Sequence, residues 1–296
     1  MRIFVTGATG FVGSAVVREL IQGGHQVVGL ARSDSGAKVV TDAGATAYRG
    51  NLENPETLRG GAAAADAVIH TGFIHDYSTF KAACELDRKV IDTLGFALAG
   101  SRRPLIVTSA IGVLPPGGLV TEQTMPLSPS ANPRAASEEA VRALLERAVN
   151  VSVVRLSPST HGEGDHGFVP ILIKIAREKR ASAYIGEGLN RWPAVHRLDA
   201  AKVYRVGLER STPGAYYHAV AEEGVVFREI AEVIGRRLQV PVVSKSRDEA
   251  AVHFAWFAHF ASMNVTASSK RTQEQLQWRP TLPGLIADLD QPHYLA

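Results

Sequence analysis

Cysteine is all but missing from this chain. Cys84 is the single one among 296 residues, so neither an internal disulfide nor a cysteine-based zinc site can form. That usage fits a reducing compartment. Long apolar runs are missing too, since no window approaches the ~18 uninterrupted apolar residues of a membrane span. The nearest, residues 250–261, is short and carries His253 and His259. The opening Met1-Arg2-Ile3-Phe4-Val5 is too short for a secretory signal and runs straight into a glycine motif. Neither sign of charge dominates: Lys+Arg is 32 against Asp+Glu 29, a formal net of +3. No cluster of Lys and Arg forms a footprint for nucleic acid or an anionic membrane. Internal repeats and low-complexity segments are also absent. What remains is ordinary for a globular protein, 45% hydrophobic and 21% charged. Disordered, collagenous and disulfide-rich secreted classes are excluded, and a cytoplasmic protein with a large core is expected.

Short β-branched runs alternate with helical patterns through the first half. Strands are expected at 3–6, 26–30, 46–48, 67–71, 105–108 and 151–155. They are continuous runs, as strands covered on both faces should be. In residues 14–22, Val16, Val17, Leu20 and Ile21 share one helical face, and Gly23-Gly24 ends the pattern. Further helices are expected over 78–99 and 133–148, the latter turning Ala140, Leu144 and Ala148 inward. The rhythm changes after residue 156. Residues 157–167 read as a Ser/Pro/Gly/His loop, and helices follow at 170–179, 227–238 and 249–260. The prediction is an α/β protein with a Rossmann-type doubly wound parallel sheet and a smaller C-terminal substrate lobe. Residues 1–156 would form the nucleotide-binding domain, with 199–217 returning to it, and 157–296 mainly the lobe.

The strongest motif is Thr6-Gly7-Ala8-Thr9-Gly10-Phe11-Val12-Gly13, placed between the first strand and an amphipathic helix. That context makes it a dinucleotide fingerprint rather than a plain tight turn. One glycine makes the turn, one admits a pyrophosphate, and one lets helix and strand pack closely. The amides opening the helix then hold the anion. At the second strand's end an NAD site usually has a carboxylate and an NADP site an arginine. Here Arg32 and Ser33 stand at the tip and Asp34 lies beyond it, which favours NADP. Asn51-Leu52 after the third strand would flank the adenine.

With these pieces the sequence resembles the extended and atypical branches of the short-chain dehydrogenase/reductase superfamily, often labelled NAD-dependent epimerase/dehydratase. Further matching segments are Gly50-Asn51-Leu52, Ala67-Val68-Ile69-His70-Thr71-Gly72, Leu105-Ile106-Val107-Thr108-Ser109-Ala110, Val153-Val154-Arg155-Leu156 with Pro158, and Val195-His196-Arg197-Leu198-Asp199. The resemblance implies cofactor contacts from Thr6, Gly7, Thr9, Gly10, Phe11, Val12, Gly13, His70, Thr71, Gly72 and Pro158. It also implies hydride transfer at a carbonyl or alcohol carbon, with serine, tyrosine and lysine handling the oxygen and proton. Ser109 matches the serine. Arg134 aligns with the tyrosine and Glu138 with the lysine, and neither residue type can play the usual part. Asp87 stands where the family has an asparagine.

Other groups compete for the proton. Tyr77 and Lys81 have YxxxK spacing, but after the fourth strand, where a capped helix start is the plainer reading. His161 and His166 flank Gly162-Glu163-Gly164-Asp165 after the sixth strand. A metal on His161, Glu163, Asp165 and His166 is conceivable, but a glycine-rich loop is a poor cage and none is expected. His196, near Trp192, is another candidate. Trp256, Phe257 and Phe260 on one apolar helix read as core rather than substrate wall, though in a lid lobe they would serve as both. The leading expectation is an NADP-dependent oxidoreductase on a small carbonyl or alcohol, with Ser109 orienting the oxygen and Tyr77 or a histidine of the 161–166 loop, His161 first, moving the proton. The rivals are a nucleotide-sugar epimerase or dehydratase, and a non-catalytic NADP-binding sensor or scaffold. The resemblance also allows a homodimer through the 78–99 and 133–148 helices.

Overall fold

The computed structural model describes residues 1–294. The first half alternates strand and helix: β1 (Arg2–Thr6), α1 (Phe11–Gln22), β2 (Gln26–Ala31), α2 (Asp34–Asp42), β3 (Thr46–Arg49), α3 (Glu56–Ala63), β4 (Ala67–His70), α4 (Phe80–Leu98), β5 (Leu105–Ala110), β6 (Leu119–Val120), α5 (Ala136–Glu146) and β7 (Val151–Leu156). The second half contains β8 (Ser159–His161), α6 (Phe168–Lys179), β9 (Ser182–Ile185), β10 (Arg191–His196), α7 (Arg197–Arg210), β11 (Tyr216–Ala219), β12 (Glu222–Val226), α8 (Phe227–Leu238), β13 (Val242–Lys245), α9 (Arg247–Phe254), α10 (Ala258–Ala261), β14 (Thr266–Ala267), α11 (Lys270–Leu276) and α12 (Leu285–Leu289).

The main sheet has seven strands in the order β11-β7-β5-β4-β1-β2-β3, every pairing parallel. The chain builds outward from β1 to β3, crosses back to β4, then builds outward the other way. The switch therefore lies between β1 and β4, and the crevice above their carboxyl ends is where such sheets bind ligands. Both faces are covered, which explains the continuous apolar strands. Val16, Val17 and Leu20 of α1 join Val203, Tyr204 and Leu208 of α7 on one face. Leu58 of α3, Ile91 and Leu94 of α4, and Val141 and Leu144 of α5 cover the other.

The remainder of the second half forms a lobe around Trp192, wholly buried with its ring 4.9 Å from Phe227. A three-stranded sheet, β12-β10-β8, links the lobe to the sheet layer.

Three segments differ from their sequence pattern. The loop expected at 157–167 is interrupted by strand β8, which pairs with β10. The helix expected over 249–260 breaks at Ala255, whose φ of 48° is left-handed. That break turns Trp256 outward while Phe257 stays buried. Residues 34–42 form α2 although only Val40 there is buried, too little apolar signal to mark a helix.

Candidate active site

The crevice has a backbone-built end and a side-chain-built end. At the first, Gly7 has φ 67°, and a Cβ there would lie 2.6 Å from the Gly72 nitrogen. A Cβ on Gly13 would run into the Gly7 carbonyl and Thr71 Oγ1. These positions bring β1, α1 and the β4 end together as only glycine permits. Gly10 caps α1 without a side chain, and the helix's first turn carries no acidic residue. The amides of Phe11, Val12 and Gly13 have no partner within their helix and open toward the crevice mouth. Arg197, at the start of α7, lays its guanidinium 4.9 Å from the Phe11 ring centre, bringing a cation to the same turn. The cradle, open amides and nearby cation fit a dinucleotide pyrophosphate.

Arg32 is exposed at the tip of β2, with no protein partner among the described residues. Ser33 caps α2, accepting from Gly36 N at 3.1 Å. Asp34 is held by Arg49 at 2.7 Å, so the nearest carboxylate is already paired. Thr9 lies against this helix start, close to where a Gly36 side chain would project. Asn51 ties its own turn, accepting from Glu53 N at 3.1 Å. Leu52 packs beneath Gly72, and Pro158 joins β7 to β8.

Two side chains expected at the cofactor point elsewhere. Thr6 Oγ1 bonds His70 Nδ1 at 2.6 Å, and His70 Nε2 bonds Asp87 Oδ1 at 2.9 Å. Both residues are buried, and both His70 nitrogens are occupied, so neither side chain is free to reach a ligand.

That chain leads to the side-chain end. Asp87 Oδ2 also takes Arg134 Nη1 at 2.9 Å and the Ser137 hydroxyl. Burial pushes the Asp87 carboxyl up, but Arg134 and the His70 and Ser137 hydrogen bonds outweigh it and hold it below the usual range. Arg134 bonds Ser137 as well, donates from Nη2 to the Thr108 carbonyl at 3.0 Å, and stacks 4.3 Å from the Phe73 ring centre. Further N–H groups of the guanidinium, on Nε and Nη2, have no protein partner among the described residues. A fixed, partly open cation thus occupies the position that aligns with the family's tyrosine.

Ser109 is only 1% exposed and donates to Glu138 Oε1 at 2.6 Å. Glu138, itself buried, takes Arg155 through Nε at 2.9 Å and Nη2 at 2.8 Å. The serine hydroxyl therefore serves a buried ion pair and is not positioned to orient a substrate oxygen. Arg155 Nη1 lies 3.3 Å from His218 Nε2. Burial, aided by Arg155, presses the His218 pKa down to about 3.

Tyr77 begins a short turn and packs on Phe80, Trp256 and Phe260, with ring centres 5.8, 5.0 and 5.5 Å away. Burial raises its phenol pKa, and no cation offsets that shift. Lys81 is exposed, so the YxxxK spacing does not reproduce the family's pair. His161 is a buried strand residue of β8 rather than a loop residue, its Nδ1 held by Asp288 at 2.7 Å. His166 is the loop histidine that faces the crevice, 5.7 Å from the Phe11 ring. His196 caps α7, accepting from Leu198 N at 3.3 Å.

Sequence reasoning missed His75. It is exposed, its ring 5.1 Å from Phe73, and the charges of Arg134 and His166 act on it. Partial desolvation first, then Arg134 and His166, lower its pKa, against an opposing pull from Asp87. Its one available signal was position: it stands just past the carboxyl end of β4, the strand beside the switch point.

A parallel sheet with its switch at a glycine cradle defines a dinucleotide-binding α/β protein. The sequence matches the NAD dependent epimerase/dehydratase family over residues 3–219, and the chain belongs to that family. An uncharacterized protein of Schizosaccharomyces pombe is 47% identical, covering 99% of this chain and 100% of its own length. The 2-alkyl-3-oxoalkanoate reductase of Stenotrophomonas maltophilia is 29% identical over 83% of this chain and 78% of its own. Among solved structures, the UDP-glucuronic acid 4-epimerase of Bacillus cereus, with UDP-glucuronic acid and NAD, superposes with a TM-score of 0.76. It is 18% identical, over 99% of this chain and 98% of its own, a likeness of fold. Family and relatives together make this an oxidoreductase-type enzyme whose cofactor is NAD or NADP.

Proposed function

We propose that the protein is an NADP-dependent reductase acting reversibly on a small carbonyl or alcohol substrate. The observation that carries this reading is the pairing of an anion-ready glycine loop with an unpartnered Arg32, while the neighbouring carboxylate, Asp34, is turned to Arg49. Arg32, Ser33 and the start of α2 would hold the 2′-phosphate. The cofactor, when bound, supplies or accepts the hydride.

The protein's task is then the oxygen and its proton. Arg134, fixed by Asp87 and the Thr108 carbonyl, turns its open N–H groups toward the developing alkoxide and steadies its charge. His75 accepts the hydroxyl proton in one direction and returns it in the other. Ser109 and Glu138 act behind Arg134, holding β5 and α5 together. The same reading keeps a homodimer through α4 and α5, where Phe96 is exposed beside Arg147.

Fluorescence titration with NADPH and with NADH tests the cofactor assignment. Tighter NADPH binding is expected, and equal affinities would overturn it. A panel of carbonyl compounds followed by NADPH absorbance tests the reaction. Tight binding without turnover on any of them would favour the non-catalytic sensor.

A further inference from the structure

Arg134 lies at one end of a continuous aromatic wall. Phe73 sits under its guanidinium, with Phe80 6.2 Å from Phe73 and Tyr77 5.8 Å from Phe80. From the lobe, Trp256 and Phe260 close against Tyr77. Trp256 has 54% of its surface exposed, unusual for the largest apolar side chain. Its outward turn follows from the left-handed break at Ala255. Behind it Phe257 is buried in the lobe core, so the wall has a rigid backing.

The polar inventory along this wall is short. Residues 250–261 contain no Arg or Lys. Arg134 sits at the inner end, over Phe73, with His75 beside that ring. Along the rest of the wall Asp76 is tied to Ser78 and Thr79, His259 lies beside Phe260, and the exposed Lys81 is the one further fixed cation on these segments. A nucleotide-linked sugar brings a diphosphate, which needs several cations or amides beyond those of the cofactor site. A flat or aliphatic body with one oxygen needs only apolar rings and one donor cluster.

Resting on the reductase reading above, we infer that the crevice takes a carbonyl compound with an apolar, ring-sized body laid along Tyr77, Phe80, Trp256 and Phe260, its oxygen on Arg134. A nucleotide-linked sugar would find too few cations along this wall for its diphosphate. The aromatic faces select shape and apolarity, and Arg134 selects the oxygen, so binding and chemistry meet at Phe73.

Calorimetry on the NADP⁺-loaded protein tests this without turnover, using acetophenone and UDP-glucose as probes. NADP⁺ binding is measured first. If it fails, the reductase reading falls, and the substrate assignment that rests on it falls too. Where NADP⁺ binds, acetophenone should bind and UDP-glucose should not. Trp256→Ala should weaken acetophenone about tenfold and leave NADP⁺ affinity as in the parent. The exposed position of Trp256 lets that variant fold, and Tyr77→Leu gives a second cut into the same wall with the same expected direction. UDP-glucose binding more tightly than acetophenone, or acetophenone affinity unmoved by both substitutions, would overturn the inference even with the cofactor in place.

Discussion

The two ends of the crevice are specified by different means. The cofactor end is written in eight consecutive residues and works through backbone: a left-handed Gly7, a Gly13 with no room for a side chain, and open amides at α1. The end we assign to the chemistry is assembled from β5, β7, α4, α5 and the turn before α5 and works through side chains: Asp87, Arg134, Ser137, Ser109, Glu138 and Arg155. The first carries the glycine motif expected of the family, and the second holds Arg134 and Glu138 where our alignment expects its tyrosine and lysine. A backbone cradle has few alternatives, because any Cβ clashes. A side-chain network can be rebuilt if every buried charge gains a new partner, as Glu138 has in Arg155.

The largest effect should come from breaking the rebuilt network. Glu138→Gln leaves Arg155 buried opposite a neutral amide and should cost roughly 3–5 kcal/mol in urea denaturation. Glu138→Lys, which restores the family's residue type, sets two cations face to face and should prevent folding. A stable Glu138→Lys variant would show that the network is replaceable and remove the contrast between the two ends.

Next is the proton. His75→Gln should lower kcat/KM on the order of 10²-fold. The pH profile carries a sign. Desolvation, Arg134 and His166 place the His75 pKa below 6.5, so reduction, which needs the imidazolium, should weaken as pH rises through that value. Alcohol oxidation should strengthen over the same window, and His75→Gln should remove both limbs. Tyr77→Phe keeps the wall's ring and should cost far less; an equal loss would assign the proton to the phenol.

The cofactor end offers the third comparison. Gly13→Ala should weaken NADPH several tens-fold, because its Cβ meets Thr71 Oγ1 at 2.7 Å and must push α1 from β4. Carbonyl binding would fall with it, whereas His75→Gln should leave NADPH affinity intact. Calorimetry on both variants separates the two ends.

How much of this the sequence reveals follows the same division. The sheet is legible because its inner strands are uninterrupted apolar runs and its glycine loop is contiguous. The seventh strand, β11, is harder to see: Tyr216-Tyr217-His218-Ala219 lacks a β-branched run, and it earns its place by pairing with β7. Ala255 gives no hint of a left-handed break, since alanine favours helix. At the site, Asp87 and Arg134 stand out by alignment, but their ion pair does not, and His75 has neighbours from distant parts of the chain. His70 reads as a crevice residue because it ends a central strand, yet Thr6 and Asp87 hold its ring inside.

The smallest effect is the one on cofactor choice. Arg32 is exposed, so its pairing with a 2′-phosphate is weakened by water and salt. Arg32→Ala should therefore cost NADPH only about tenfold in Kd, with NADH unchanged. Added salt should shrink the parent's preference in the same direction. Asp34 sharpens the point, because its Oδ1 is turned to Arg49 at 2.7 Å and so competes with a ribose hydroxyl for that carboxylate. Arg49→Ala frees that carboxylate, and NADH should gain while NADPH loses. If neither substitution moves the ratio of the two dissociation constants, the choice is not made at the tip of β2.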